Sequence, residues 1–133
     1  ARDRREFLAL AAHGMRRVLV DSARRRRAGK RGSDEWRQVS LADGMGSHPA
    51  EGDLVDVLAL HAALEKLATL SERQARVAEL RAFGGLTLAE TAETLGVGTT
   101  VVKAEWQVAR AWLRRELARD TPDPEPPADT EPR

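Results

Sequence analysis

The stretch LTLAETAETLGVGTTVVKAEWQVARAWL, residues 86–113, decides how the rest of the chain is read. It spells two helices around a tight turn. Thr87 can cap the first helix, with Glu90 three residues later in capping-box position. Gly96-Val97-Gly98 then offers a break where φ can turn positive. A second helix can restart at Thr99 or Thr100, whose hydroxyl takes up orphan amide donors. Stepping by about 100° per residue puts Val102, Trp106, Ala109 and Leu113 on one side. Thr100, Lys103, Ala104, Gln107 and, toward one edge, Arg110 fall on the other. An amide, a hydroxyl and cations are the groups that pair with base edges and phosphates in a major groove, so a DNA-reading helix-turn-helix is the expectation. A surface helix with a solvated face is the plain alternative.

Working outward, charge is strongly segregated although the net charge is only +1. Residues 1–31 carry eleven Arg or Lys against three acids, and residues 34–56 carry six acids against Arg37 alone. Residues 99–119 return to a net +3, and residues 120–133 fall to −4. Polyanions are the first partners to expect for two basic segments separated by an acidic one. There is no cysteine, which suits a reducing cytoplasm and removes disulfides and thiolate metal sites. No apolar run approaches membrane-spanning length, so no membrane association is expected. Ala, Leu and Val dominate an aromatic-poor composition, and no period-two run of β-branched residues appears, so the fold class expected is all-α.

Residues 4–27 place Phe7, Leu8, Ala11, Ala12, Met15, Val18, Leu19 and Ser22 at three- and four-residue intervals, a long amphipathic helix. It runs into Arg24-Arg25-Arg26-Arg27, where six cations in eight residues exceed what a helix dipole needs and point to phosphate contact. Residues 33–52 lose helical periodicity and gather Gly44, Gly46, Ser47 and Pro49, an acidic flexible linker between modules. Trp36 and Val39-Ser40-Leu41 are expected to dock loosely on a neighbouring module, or Trp36 to stack on a base. Asp53 is the expected cap of the next helix, which ends near Thr69. Ser71 opens another, with Gln74 in capping-box position, and that one stops at Gly84-Gly85. Four helices would then close a core from Leu58, Leu64, Leu67, Val77, Leu80, Phe83, Leu88, Ala92, Leu95, Val102, Trp106, Ala109 and Leu113. The tail, residues 120–133, holds five of the six prolines and five acids and is expected to be disordered.

The order of these parts resembles a known family. Leu70-Ser71-Glu72-Arg73-Gln74-Ala75-Arg76-Val77, Leu80-Arg81-Ala82-Phe83-Gly84-Gly85-Leu86-Thr87, Ala89-Glu90-Thr91-Ala92-Glu93, Leu95-Gly96-Val97 and Val102-Lys103 together are similar to domain four of bacterial sigma factors of the extracytoplasmic-function (ECF) type, in the sigma-70 family. Residues 16–27 resemble the last helix of domain two. The resemblance divides the chain into the end of domain two at 1–32, a linker at 33–52, a four-helix domain four at 53–119 with its helix-turn-helix at 87–113, and the tail at 120–133. It implies a dissociable RNA polymerase subunit, with promoter DNA and core RNA polymerase as partners and an anti-sigma protein as a further partner that the resemblance allows. Thr99, Thr100, Lys103, Ala104, Gln107 and Arg110 would face the minus-thirty-five element or its phosphates, with Arg73 and Gln74 on the backbone at an earlier helix N-terminus. Arg16, Arg17 and Arg24 would lie near the separated strand of the minus-ten element, and the acids Asp34, Glu35 and Asp43 would suit a basic channel of the polymerase.

Several residues depart from the family's pattern. Gly98 stands where serine often caps the helix, which would pass the cap to Thr99, and Ala104 removes one polar contact. Thr91 replaces a common isoleucine on a face expected to be buried, where its hydroxyl can bond back to a carbonyl. The first half of domain two is missing and Ala1 is not an initiator methionine, so the chain reads as a fragment. Its first helix would then pair with another copy, lie on the second module, or stay mobile. His13, His48 and His61 show no ligand spacing, and no nucleophile has a base nearby, so neither enzyme chemistry, a metal nor a cofactor is expected. The rival readings are a stand-alone dimeric helix-turn-helix regulator and a helical adaptor with no DNA role.

Overall fold

A long helix, α1 (Arg2–Gly29), lies along one side of the molecule. The computed structural model describes residues 2–29, 38–42 and 53–120. After α1 come two short strands, β1 (Gln38–Ser40) and β2 (Leu54–Asp56), and then α2 (Val57–Leu70) and α3 (Glu72–Ala78). The chain leaves α3 through one wide π-helical turn, Glu79–Phe83, and finishes with α4 (Leu88–Leu95) and α5 (Thr99–Asp120). The helical class expected of the sequence holds. The expectations on Trp36, on Asp34, Glu35 and Asp43, and on the tail fall outside the described residues.

The core is where the periodicity puts it. Leu64, Leu67, Val77, Phe83, Ala92, Val102, Trp106, Ala109 and Leu113 are buried in one cluster, and Leu58, Leu88 and Leu95 pack at its edge. Leu80 belongs to a second, smaller cluster with Ala12 and Leu86. That second cluster is the seat of α1. Of the three outcomes open to the first helix, the structure takes the docked one: α1 packs on α2, the π turn and α4. Its inner side buries Ala12, Val20 and Ala23. Close approach is possible because Gly84 faces Ala12, where a Cβ would lie 2.7 Å from the alanine methyl and 2.7 Å from the Leu80 carbonyl.

Two details of the connecting region differ from the sequence reading. Residues 38–40 form a strand that pairs antiparallel with residues 54–56, in the register Gln38↔Asp56, Val39↔Val55 and Ser40↔Leu54. Leu41, which follows, is fully buried in the main core, and burying a leucine is worth about 1.5–3 kcal/mol. That burial replaces the loose docking expected of this stretch. The helix cap also moves. Residues 54–56 are extended, so α2 starts later and its cap is Asp56, whose carboxylate accepts from the Ala59 amide at 3.0 Å. Asp53, the expected cap, is instead buried at 1% exposure and paired with arginines of α5.

Candidate nucleic-acid interface

The helix-turn-helix forms from local bonds that the sequence advertises. Thr87 Oγ1 accepts from the Glu90 amide at 3.0 Å and Glu90 Oε1 accepts from the Thr87 amide at 2.9 Å, a complete capping box at the start of α4. At the far end Gly96 takes a left-handed φ of 72°, and the Val97 amide donates to the Ala92 carbonyl at 3.1 Å. That long back-bond and the left-handed residue make a Schellman stop. Thr91 is fully buried and its hydroxyl donates to the Thr87 carbonyl at 2.8 Å, so the polar atom is satisfied inside the helix. The second helix begins at Thr99 with the Val102 amide on the Gly98 carbonyl at 3.1 Å, so the glycine in place of serine does not shift its start.

α5 is seated by its apolar side. Val102, Trp106, Ala109 and Leu113 are buried, and the Arg81 guanidinium lies 5.3 Å from the centre of the Trp106 ring. Thr99, Thr100, Lys103, Ala104 and Gln107 are all exposed. The acids of α5 are drawn off this face: Glu105 accepts from Gln74 Nε2 at 3.0 Å with Arg73 at 3.9 Å, and the buried Glu116 pairs with Lys66. Among the described residues, no hydrogen bond or ion pair ties a carboxylate to Thr99, Thr100, Lys103 or Gln107, and such a row of hydroxyl, ammonium and amide groups suits a polyanion. Arg73 stays about half exposed with Glu105 at 3.9 Å, and the Gln74 amide nitrogen is committed to the same acid. Gln74 therefore supplies only half of the expected capping box, its amide on Ser71 Oγ at 3.2 Å, and its side chain is turned to α5.

Two other arginines named from the sequence are turned inward. Arg110 Nε donates to the Leu41 carbonyl at 2.6 Å and Nη2 lies 3.5 Å from Asp53 Oδ1, leaving the side chain 21% exposed. The physical reason is the buried Asp53, which attracts the nearest guanidinium groups. Arg16 is 14% exposed: Nε donates to His61 Nδ1 at 2.9 Å, Nη2 to the His61 carbonyl at 3.3 Å, and Nη1 to Glu79 Oε2 at 3.0 Å. Here the docking of α1 supplies acceptors that water would otherwise provide. His61 is held below its ordinary pKa of 6.5, first by burial and then by the Arg16 charge. Arg17 and Arg24 are exposed on α1, Arg24 close enough for its charge to add to the lowering at His61. Near its start, Arg4 Nε lies 3.1 Å from Glu93, which ties α1 to the first helix of the helix-turn-helix.

Sequence reasoning passes over Arg114, whose guanidinium pairs with Asp53 beside Arg110. Its position four residues after Arg110 is the available signal. Among the described residues, no group of three or more potential ligands could hold a metal ion, and no helix is long and apolar enough to cross a membrane. Compared with known proteins, residues 1–119 match the family described as ECF sigma factor. No curated protein and no solved structure matches the chain.

Proposed function

The chain belongs to the ECF sigma-factor family, whose members direct RNA polymerase to promoters, and from that premise we propose that α4 and α5 read the minus-thirty-five element. It is a transcription initiation factor that binds core RNA polymerase and promoter DNA, and not an enzyme. In the proposed docking α5 enters the major groove, with Lys103 and Gln107 toward base edges and Thr99 and Thr100 toward flanking phosphates. Ala104 offers a methyl-sized contact between them. Arg73 would hold the backbone from the start of α3, with Gln74 buttressing it through Glu105.

The observation that supports this most directly is the acid-free exposed side of α5 in a chain whose family match spans residues 1–119. On the same reading, residues 1–32 are the end of domain two, with Arg17 and Arg24 facing the minus-ten strand and Arg16 joining them only if α1 leaves its dock. Residues 33–52 are then the linker, 53–119 domain four, and 120–133 an acidic tail. A restraining anti-sigma protein would be a third partner, and the cytoplasm, where polymerase works, the site of action.

Copurification with core polymerase, followed by transcription from a selected promoter library, tests the proposal. The chain is expected to associate with core enzyme and to impose an upstream sequence preference that core enzyme lacks. Association without any upstream preference would refute the assignment of α5, and tight operator binding by a dimer without polymerase would favour a stand-alone regulator.

A further inference from the structure

Arg110 and Arg114 continue the side of α5 that carries Lys103 and Gln107, since positions 103, 107, 110 and 114 follow at intervals of four, three and four residues. Both guanidinium groups turn to one oxygen. Asp53 Oδ1 receives Arg110 Nη2 at 3.5 Å and Arg114 Nη2 in close contact. Asp53 is 1% exposed, whereas the side chains of Arg110 and Arg114 keep 21% and 37% of their surface. The acid is thus covered by two cations that still present an outward side. Convergent guanidinium groups on a single oxygen are the arrangement that suits a phosphate.

The carboxylate reaches this place only because the connecting strands carry it there. The Leu41 amide donates to the Asp53 carbonyl at 2.7 Å, and β1 pairs with β2 immediately beyond. The buried Leu41 and the Arg110 bond to its carbonyl complete the clamp. Two acids of α5, Glu105 and Glu116, are engaged with other partners, Gln74 and Lys66.

We propose that Arg110 and Arg114 form a phosphate-binding site for the DNA backbone, which Asp53 fills as an internal anion and yields when the chain engages DNA. The inference rests on the reading of α5 as the DNA-contacting helix. Exchange of one anion for another leaves both arginines paired in each state, and the released Asp53 carboxylate has to pass to water, since left in place it would be a buried charge without these two partners. Counterion release from the duplex favours the DNA-bound arrangement at low salt. The β1–β2 pair acquires a role on this account: its closure withholds two cations from the nucleic acid.

Binding of the full chain to a short non-specific duplex, followed by fluorescence anisotropy across a low-salt series, tests the proposal. Asp53→Asn is expected to tighten binding, because no internal anion has to be displaced, and to leave the slope of log K against log salt unchanged, because the same phosphates are bound. Arg114→Gln in the native background is expected to weaken binding and flatten the slope by about 0.9. Unchanged or weaker binding by a folded Asp53→Asn protein overturns the proposal, as does an unchanged slope in Arg114→Gln. If Asp53→Asn does not fold, Arg114→Gln decides alone. Lys103→Ala separates this inference from the reading beneath it. Weakened binding in Lys103→Ala with Arg114→Gln unaffected removes the phosphate site and leaves α5 a DNA reader; indifference in both removes the reading itself.

Discussion

On the proposed docking, Gln107 and Arg73 would make two kinds of contact, and substitution separates them. Gln107 is exposed on α5, and an amide can pair with an adenine edge for about 1–3 kcal/mol of discrimination. Gln107→Ala is therefore expected to alter the preferred upstream sequence, measured by selection from a randomised element with holoenzyme. Arg73→Ala should weaken all sequences alike and flatten the salt dependence by about 0.9. Identical preferences in both variants would show that Gln107 does not face the groove. Trp106 belongs to neither kind. It is 1% exposed in the core, so Trp106→Ala is expected to cost about 3–5 kcal/mol in denaturant unfolding. A third residue-scale effect follows from His61. Arg16, Arg24, Glu65 and Glu79 surround it, and its folded-state pKa is lowered, so the unfolded chain binds more protons as pH falls. The contribution is complete above 6.5, the unfolded value, and is lost as pH drops from there through the lower folded value. The melting temperature should fall on acidification across about pH 7 to 5, and His61→Gln should flatten that decline.

At the scale of elements, the seat of α1 depends on small residues in two unequal positions. Gly14 lies within α1, and a Cβ added there would meet nothing within 4 Å, so Gly14→Ala removes only backbone freedom. It is expected to stabilise by about 0.5–1 kcal/mol. Gly84 has no such room, since its added methyl would meet Ala12 and the Leu80 carbonyl. Gly84→Ala should destabilise by about 1–3 kcal/mol, with amide exchange rising first in α1. Equal effects at the two glycines in urea unfolding would argue against the close α1 contact. The ends of α4 are fixed locally, by the Thr87–Glu90 box and the left-handed Gly96 stop, rather than by distant packing.

For the molecule as a whole, legibility follows the range of the interaction. Helix caps, the glycine stop and the buried side of α5 depend on neighbours within a turn or two, and Thr87, Gly96, Val102 and Trp106 can be read from spacing. The strand pair cannot, because Val39 and Val55 lie sixteen positions apart and each strand is only three residues long. Nothing in a three-residue run distinguishes a strand from a linker. Asp53 misleads for the same reason: an acid before a helix looks like a cap until a second segment buries it. That Lys103 and Gln107 are exposed is legible from spacing, whereas the contacts of Arg110 and Arg16 are made with carboxylates and a histidine that are distant in sequence.

The pairing of residues 38–40 with 54–56 also sets a length. While it holds, the path from Gly29 at the end of α1 to Gln38 at the anchored strand is nine steps, a span of roughly 30 Å at full extension. That is less than one turn of duplex, about 34 Å. Undone, the tether runs from Gly29 to Leu54, and its twenty-five steps can span roughly 80 Å. Two strands of three residues thus act as a clasp on a tape measure: once α1 leaves its dock, whether the clasp is fastened sets how far α1 can stand from α2.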